Sequence, residues 1–308
     1  MAQLLLDLHD DVLTMVCATC PLADLNALAR SCIRLRELSA PHREAIAALC
    51  KPPFSIAVEK LEDLTYFRCG TYHDWDDPRL SHILDADVIA FAAGILLSYR
   101  ALSQLATLSI GGAHISDKGI AALVHAMAEG RLPVLTDLTV AHTRIADVGV
   151  KALAHLFARA GALPKLRVLR LYDNHIQDAG TIFIAGACFI GALPSLLRLD
   201  LDYNGIGDAG FQALACASVS GTLAQLSYLS LRGNSIGDAG VSILIGTDSK
   251  FPSLTQLILH RNKIGDAGCI TMAEACSTGA LPALRDLYLF QRAPALQAAC
   301  ESRHIRYH

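Results

Sequence analysis

The sequence has few charges and few aromatic residues. Of its 308 residues, charged types make up 18% and aromatic types 6%, with a single tryptophan. Lys and Arg form no block and the formal net charge is −3, so no long-range attraction to nucleic acid or to an anionic membrane is expected. Hydrophobic residues, at 53%, supply ample material for a core. We therefore expect a folded protein that binds neither nucleic acid nor membrane.

Signals for export and for a membrane span are weak as well. The N-terminal stretch MAQLLLDLHDDVL lacks a basic n-region and carries three aspartates, and the chain has no Asn-x-Ser/Thr sequon. Residues 179–197 carry no charge and could cross a bilayer by length, but Gly186, Gly191 and Pro194 interrupt them. With ten scattered cysteines, these features favour an intracellular protein with reduced thiols, in the cytoplasm or alternatively the nucleus.

The residue patterns of common catalytic and metal sites are also missing. We find no Ser/His/Asp set, HExxH or Walker-type loop, and no dinucleotide fingerprint in a βαβ context. Cys17-x-x-Cys20 lacks the second close pair that structural zinc sites use, and the polar stretch 73–77 is typical of a solvated loop. We therefore expect no enzyme activity, no cofactor and no metal. Three further cysteines fall in repeated helices and are expected as small core residues: Cys188, Cys216 and Cys276.

One unit recurs along most of the chain. It reads L-x-x-L-x-L-x-x-N-x-I-x-D-x-G, followed by an apolar helical stretch and a turn, and it returns at intervals of about thirty residues. Six copies stand in register, over residues 108–119, 138–149, 169–180, 199–210, 229–240 and 257–268. The segment LYLF at 287–290 adds a seventh strand, and residues 85–98 resemble the helix of an earlier, degenerate unit. The tail that follows is expected to form a last helix and a short strand.

Each recurring residue suits a structural role. Alternating leucines predict a short parallel strand with one buried side, the Asn can satisfy backbone groups of the following turn, and the Ile fills the core. Ala113 and Thr143 replace this Asn in the first two units, so we expect an incomplete row of asparagines there. The Gly two residues after the Asp permits close packing of the turn.

The recurring Asp is expected at the N-cap of the helix that follows it, where its carboxylate accepts first-turn N–H groups. A catalytic carboxylate is normally singular, so six equivalent acids indicate architecture. Loss of one of them, as in Asp238→Ala, is expected to cost about 1 kcal/mol of stability. The predicted structural caps are Asp117, Asp147, Asp178, Asp208, Asp238 and Asp266.

This pattern resembles the leucine-rich repeat, in the long-unit form of the ribonuclease-inhibitor type, over about residues 101–292. The resemblance implies an α/β solenoid, a horseshoe or arc with parallel strands inside, helices outside and atypical units at its ends. The chain would then divide into a small helical segment or N-terminal cap (1–45), a connector with a degenerate first repeat (46–100), and the solenoid with its C-terminal cap (101–308).

The side chains that alternate with the buried leucines would face the concave side of this arc. They combine tyrosine and arginine with acids, a composition typical of protein-binding surfaces, although they could instead serve only to keep the face soluble. The first two repeats offer small residues there, so we expect a ligand toward the C-terminal half. The candidate protein-binding residues are Arg170, Tyr172, Arg198, Asp200, Asp202, Tyr228, Arg232, His260, Arg261 and Tyr288.

The first forty residues resemble an F-box. Compared with the family pattern, His9 replaces a proline and Leu35 replaces a tryptophan. The matching positions are Leu8, Asp11, Val12, Leu13, Val16, Leu22, Asp24, Leu25, Leu28, Cys32, Leu35 and Leu38. The resemblance implies a non-enzymatic substrate receptor of a cullin-type ubiquitin ligase. The residues expected to bind the ligase's adaptor subunit are Leu8, Val12, Leu13, Val16, Leu22, Leu25 and Leu28.

Two other functions remain open at this point. The N-terminal segment could simply cap the solenoid of a binding scaffold or sensor that has no role in a ligase. The chain could also be a GTPase activator resembling the Ran GTPase-activating protein, which shares this repeat type. That activity would need a distinct polar group of residues on one rim, and the sequence singles out none.

Overall fold

The computed structural model describes residues 104–308 apart from 113, 129–131, 160–161, 220, 222, 246–250 and 292, together with the backbone of residues 66–69 and residues 85, 88 and 92. Its strands are β1 (Tyr66–Cys69), β2 (Thr107–Gly111), β3 (Asp137–Ala141), β4 (Val168–Arg170), β5 (Arg198–Asp200), β6 (Tyr228–Ser230), β7 (Gln256–Ile258), β8 (Asp286–Tyr288) and β9 (Arg306–Tyr307). Its helices are α1 (Asp117–Ala128), α2 (Asp147–Ala158), α3 (Asp178–Phe189), α4 (Asp208–Val219), α5 (Asp238–Val241), α6 (Asp266–Thr278) and α7 (Pro294–Ser302), with a 3₁₀ turn (Ser242–Leu244) after α5.

The strands form one open parallel sheet in which each strand pairs with the next in chain order, from β1 to β9. From β2 to β9 a helical segment lies between each strand and the next, as parallel pairing requires. The described part of the sheet thus begins before residue 101, with β1 inside the range 46–100. The predicted last helix and short strand of the tail are confirmed as α7 and β9.

The core runs between the sheet and the helices. Every repeat buries the leucines that alternate along its strand, and the Ile before the Asp is buried too, as predicted. A fully buried Leu or Ile contributes about 2 kcal/mol, so stacking the repeats is what makes each one stable. The first leucines of β4 to β8, none of which is exposed to solvent, are Leu169, Leu199, Leu229, Leu257 and Leu287. The buried isoleucines are Ile115, Ile145, Ile176, Ile206, Ile236 and Ile264.

A row of asparagines joins consecutive repeats at the carboxyl end of the sheet, as predicted. Asn234 donates from Nδ2 to the carbonyl of Leu201 at 2.9 Å and to that of Leu231 at 3.0 Å. Its Oδ1 accepts the N–H of Ile206 at 3.0 Å, so one amide satisfies backbone groups of two repeats. Equivalent bonds are made by Asn174, Asn204 and Asn262.

The row changes at Thr143, where the sequence departs from Asn. The Oδ1 of Asn174 accepts both the N–H and the hydroxyl of Thr143. The Thr143 hydroxyl in turn accepts the N–H of Ile145 at 3.3 Å, so the threonine supplies locally what the missing amide would have supplied. The row of asparagines therefore starts at Asn174, and the N–H groups of Thr143 and Ile145 beside it are still paired.

The recurring Asp does not cap its own helix, and this prediction was wrong. It is the first helical residue, and the N-cap residues that precede α2, α3, α5 and α6 make no side-chain capping bond. The carboxylate instead reaches the next repeat: Oδ1 of Asp178 accepts the N–H of Gly207 at 2.7 Å and of Gly210 at 2.8 Å. Asp117 and Asp147 make the same pair of inter-repeat bonds, and Asp208 and Asp238 make the first of the two. The carboxylate bonds there because the start of the next helix lies beside it with free N–H groups.

The Gly two positions after each Asp makes room for this bond. A Cβ on Gly210 would lie 2.8 Å from Oδ1 of Asp178, and one on Gly240 would lie 2.5 Å from Oδ1 of Asp208. These distances are shorter than a carbon–oxygen contact allows. The Asp of one repeat and the Gly of the next therefore form a single structural unit.

The pattern extends upstream to Asp85. Residues 85, 88 and 92 are helical, in agreement with the degenerate helix expected over 85–98. Oδ1 of Asp85 accepts the N–H of Ser116 at 2.6 Å and of Gly119 at 3.1 Å, which repeats the bonds of the later aspartates. Sequence periodicity alone did not include Asp85 among the structural acids.

The long uncharged stretch 179–197 is divided between a helix and a turn. The helix α3 ends at Phe189, and the chain then turns toward β5. In the described part of the chain, no helix has the length and apolar character needed to cross a membrane. Among the cysteines expected in the core, Cys188 and Cys276 are buried, whereas Cys216 is exposed on α4, contrary to expectation.

Candidate functional site

We define the sheet face as the strand side chains that alternate with the buried leucines, together with the second and third residues after each of the strands β4 to β8. All ten candidate protein-binding residues lie on this face, from β4 to β8. Register aligns Arg170 with Asp200 and Arg198 with Tyr228 on neighbouring strands. Since paired strands lie about 4.8 Å apart, side chains from successive repeats contact one another directly.

Arg198 lies at the centre of the sheet face. Its guanidinium carbon is 3.7 Å from the ring centroid of Tyr228, and its Nη2 is 3.6 Å from Oδ2 of Asp200. Burial raises the pKa of the Tyr228 phenol, although the neighbouring Arg198 opposes this change. The stacking fixes both side chains in a flat arrangement of the kind that protein interfaces favour.

Two carboxylates follow Arg198 along the chain: Asp200, which is buried, and Asp202, which is partly buried. Asp200 is only 7% exposed, and burial raises its pKa. Asp202 accepts the N–H of Arg232 at 2.8 Å and the hydroxyl of Ser230. Burial, together with the charge of Asp200, raises the pKa of Asp202 to about 6. Asp202 therefore changes its charge near neutral pH while remaining held in place.

The two ends of the sheet face carry ion pairs. Nη1 of Arg170 lies 3.9 Å from Oδ1 of Asp137. At the other end, Asp286 accepts from Nε of Arg306 at 2.6 Å. Burial would raise the pKa of Asp286, but hydrogen bonds from Arg306, Gln256 and His308 outweigh it, so the pKa is lowered.

The tail adds Arg306, in β9, and His308 to the sheet face. The imidazole of His308 stacks on the ring of Tyr288, with centroids 4.4 Å apart and planes 11° from parallel. Sequence reasoning placed Tyr288 on this face but did not find Arg306 or His308. Their position depends on how the tail folds back as β9 against β8, which no repeat motif signals.

A row of residues with left-handed backbone follows the strands. The φ angle is 54° at Asp173, 49° at Tyr203, 60° at Arg261 and 57° at Phe290. Such residues cost about 1 kcal/mol each unless they are glycine, yet within this row, from β4 to β8, only the repeat of β6 uses glycine, at Gly233. The backbone turns these side chains onto the edge of the sheet face.

Sequence reasoning missed two members of this edge, His142 and Asp173. Nδ1 of His142 contacts Oδ2 of Asp173, and the His142 ring lies edge-on to Tyr172 at a centroid distance of 4.9 Å. Each occupies the repeat position that Tyr203 and Arg261 occupy in later repeats. This shared repeat position was the sequence signal that could have identified His142 and Asp173.

The predicted adaptor-binding residues, from Leu8 to Leu28, lie outside the described residues, as do Cys17, Cys20 and the stretch 73–77. Within the described ranges, no group of three or more His, Cys, Asp or Glu is arranged to hold a metal ion. What the sheet face offers is an ordered set of flat aromatic, cationic and acidic groups suited to recognising a surface.

Comparison with protein families agrees with the repeats seen in the fold. The leucine-rich repeat family matches residues 131–154, 162–185, 192–215, 225–244 and 252–273. Each matched segment contains one strand, from β3 to β7, and all or part of the helical segment that follows it. The comparison with curated proteins found no match. Five matched repeats, one sequentially paired parallel sheet and alternating helices show that this part of the chain is an α/β leucine-rich repeat solenoid.

Proposed function

We propose that the protein is a recognition module that binds a partner protein on the sheet face of β4 to β8, which would be the concave side of the repeat arc. Leucine-rich repeats in general point to protein–protein interaction. The observation that supports this location best is the Arg198–Tyr228 stack with Asp200 beside it. Flat, pre-ordered arginine and tyrosine side chains are the residues that most often dominate binding energy in interfaces. The twelve-residue helices α1 to α4 also favour the ribonuclease-inhibitor type.

Affinity capture tests this proposal with a matched pair of variants. Arg198→Ala with Tyr228→Ala removes the cation–aromatic pair of the sheet face. Lys151→Ala with Phe183→Ala removes a comparable pair on the helices, where Nζ of Lys151 lies 5.4 Å from the Phe183 centroid. We expect the control to retain the partners of the wild-type chain and the sheet-face variant to lose them, with thermal melts verifying that both fold. An unchanged set of partners on the sheet-face variant would reject this location.

We further propose that the partner is a ubiquitination target and that residues 8–38 bind the adaptor subunit of a cullin-type ligase. Support comes from the F-box-like spacing of Leu8, Leu13, Leu25 and the other residues named above. Co-expression with the adaptor should give a complex that co-purifies, and Leu13→Asp combined with Leu25→Asp should abolish it. Failure of the wild-type chain to form the complex would leave a binding scaffold or sensor as the function. Limited proteolysis separates these cases, since a docking module is released more easily than a terminal cap.

A further inference from the structure

Two arginines of the sheet face differ from the rest in having no ion pair. Arg170, Arg198 and Arg306 each form an ion pair with a carboxylate of the face. Arg232 and Arg261 form no ion pair with any residue that the structure describes. The Nε of Arg232 is also buried without a hydrogen-bond partner in the described part of the chain. Arg232 interacts with the charge of Asp202, but among the described residues neither Arg232 nor Arg261 has a carboxylate within ion-pair distance.

Tyr203 holds the two arginines at a fixed spacing. Its hydroxyl accepts from Nη1 of Arg261 at 3.1 Å, although the two residues belong to repeats that are not adjacent. The guanidinium of Arg232 lies 5.0 Å from the centroid of the same ring. Tyr203 thus spans the repeat between its own and that of Arg261. Arg232 lies near its ring, and Arg261 donates to its hydroxyl.

Gly233 makes this bridge fit. A Cβ at this position would come within 2.6 Å of the Tyr203 ring, so the ring lies directly against the glycine backbone. This is the repeat in which glycine takes the left-handed position, with φ of 67°. Glycine here therefore avoids both a clash with the Tyr203 ring and the strain that a side chain would have at a left-handed φ.

His260 lies beside both arginines, and only 7% of it is exposed. Its Nδ1 has no hydrogen-bond partner among the described residues, and its ring packs on Phe290 at a centroid distance of 4.5 Å. Burial and the charges of Arg232 and Arg261 lower the pKa of His260, so the imidazole is neutral at neutral pH. The neutral imidazole does not change the positive potential of the two arginines. Its pKa responds to that potential.

We propose that Arg232, Tyr203 and Arg261 bind an acidic side chain, Asp or Glu, of the partner protein. This inference rests on the proposed function and specifies the chemistry of the partner at one point. A guanidinium fork matches a carboxylate in geometry and charge. The carboxylate of Asp202 accepts the Arg232 N–H and so lies close to this cluster. Because it would repel a second negative group, a singly charged carboxylate fits better here than a doubly charged phosphate.

Peptide titration of the full chain, followed by NMR of the His260 ring, tests the inference. The probes are three short peptides of one sequence that carry a central Glu-Glu, Gln-Gln or phosphoserine pair. We expect the Glu peptide to bind and to raise the pKa of His260, and the Gln peptide to do neither. Arg232→Gln with Arg261→Gln should weaken binding of the Glu peptide at least tenfold, the scale of a lost charged hydrogen bond. The control Lys151→Gln, which removes a positive charge from α2 outside the sheet face, should change it less than twofold.

Each of the following outcomes would reject the inference. Equal binding of the Glu and Gln peptides, equal effects of the two variants, or an unchanged His260 pKa would show that the cluster does not recognise carboxylates. Tighter binding of the phosphoserine peptide would show that a phosphorylated segment is the ligand. A captured partner that binds Arg232→Gln with Arg261→Gln as well as the wild type would leave the proposed function intact and overturn this inference alone.

Discussion

At the scale of single residues, the recurring Asp acts between repeats. Its Oδ1 bonds to N–H groups at the start of the next helix, as Asp147 does to Gln177 and Gly180, both at 2.8 Å. The carboxylate thus satisfies donors that would otherwise be unpaired and meets the positive end of a neighbouring helix dipole. Each recurring Asp from Asp117 to Asp238 thus contributes to the coupling of two repeats.

Asp178→Ala should lower the free energy of unfolding by about 2 kcal/mol, since it removes two charged hydrogen bonds to Gly207 and Gly210. Asp266→Ala is the control, because Asp266 also begins a helix but is exposed, and none of the described hydrogen bonds uses its carboxylate. Urea denaturation of both variants should show a clearly smaller loss for Asp266→Ala. Equal losses would mean that the acid acts on its own helix.

Asp202→Asn should stabilise the protein increasingly as the pH rises. The Asn oxygen can still accept from Ser230 and Arg232, which both donate to the same Oδ1, while the buried charge disappears. A folded-state pKa raised from near 4 to about 6 destabilises the wild type only when the acid ionises, so the cost is absent below pH 4 and complete above pH 6.

Denaturant unfolding at pH 4 and pH 7 measures this effect. The variant should match the wild type within error at pH 4 and exceed it by about 2 kcal/mol at pH 7. A difference that stays constant between the two pH values would show that Asp202 carries no unfavourable charge in the folded protein.

At the scale of elements, helix starts are shaped by the repeat before them. Gly210 lies in the first turn of α4, and its neighbours are Asp178, Thr181 and Ile206. The sequence revealed the glycine and the aspartate as a D-x-G motif, but the two members of one motif serve different contacts. The Asp bonds forward to the next repeat and the Gly accommodates the Asp of the previous one.

Gly210→Ala and Gly186→Ala should therefore have opposite effects. A Cβ on Gly210 would meet atoms of Asp178 and Ile206 at 2.8 Å, and such overpacking costs about 1 to 3 kcal/mol. A Cβ on Gly186, in α3, would meet nothing within 4 Å, so alanine should stabilise the helix by about 1 kcal/mol. Thermal unfolding of the two variants gives the comparison, and a shift of the same sign in both would refute the packing argument.

At the scale of the whole molecule, stability is distributed along an array in which each repeat contacts its neighbours. At the C-terminal end of the described array, α7, whose Leu296 is fully buried, packs on α6, and β9 pairs with β8. Truncation of a buried leucine costs about 3 kcal/mol. In such an array the loss is felt mainly in the repeats next to the change.

Leu296→Ala should increase hydrogen exchange in β8, α6 and α7 while leaving β3 and β4 nearly as protected as in the wild type. Leu199→Ala, a truncation of an equally buried leucine in the middle of the sheet, serves as the comparison and should raise exchange on both sides of β5. Mass spectrometry of exchanged peptides distinguishes the two patterns. Uniform loss of protection in both variants would show that the repeats unfold as one unit.

The sequence by itself determined the repeat, the strand and helix of each unit, and the buried leucine, isoleucine and asparagine positions. Spacing alone suffices for these because each repeat buries its apolar side against a copy of itself. The same periodicity also located most of the sheet face, since alternation along a strand separates Leu199 from Arg198 and Asp200.

Only the tertiary structure decided which residues contact one another across repeats. Asp178 and Gly210 belong to different copies of the motif, and Tyr203 and Arg261 are separated by another repeat, so no local pattern could pair them. Arg306 reaches Asp286 only because the tail returns as β9. Contacts of this kind depend on the rise and rotation between stacked repeats, which are set by packing and are not written in any single unit.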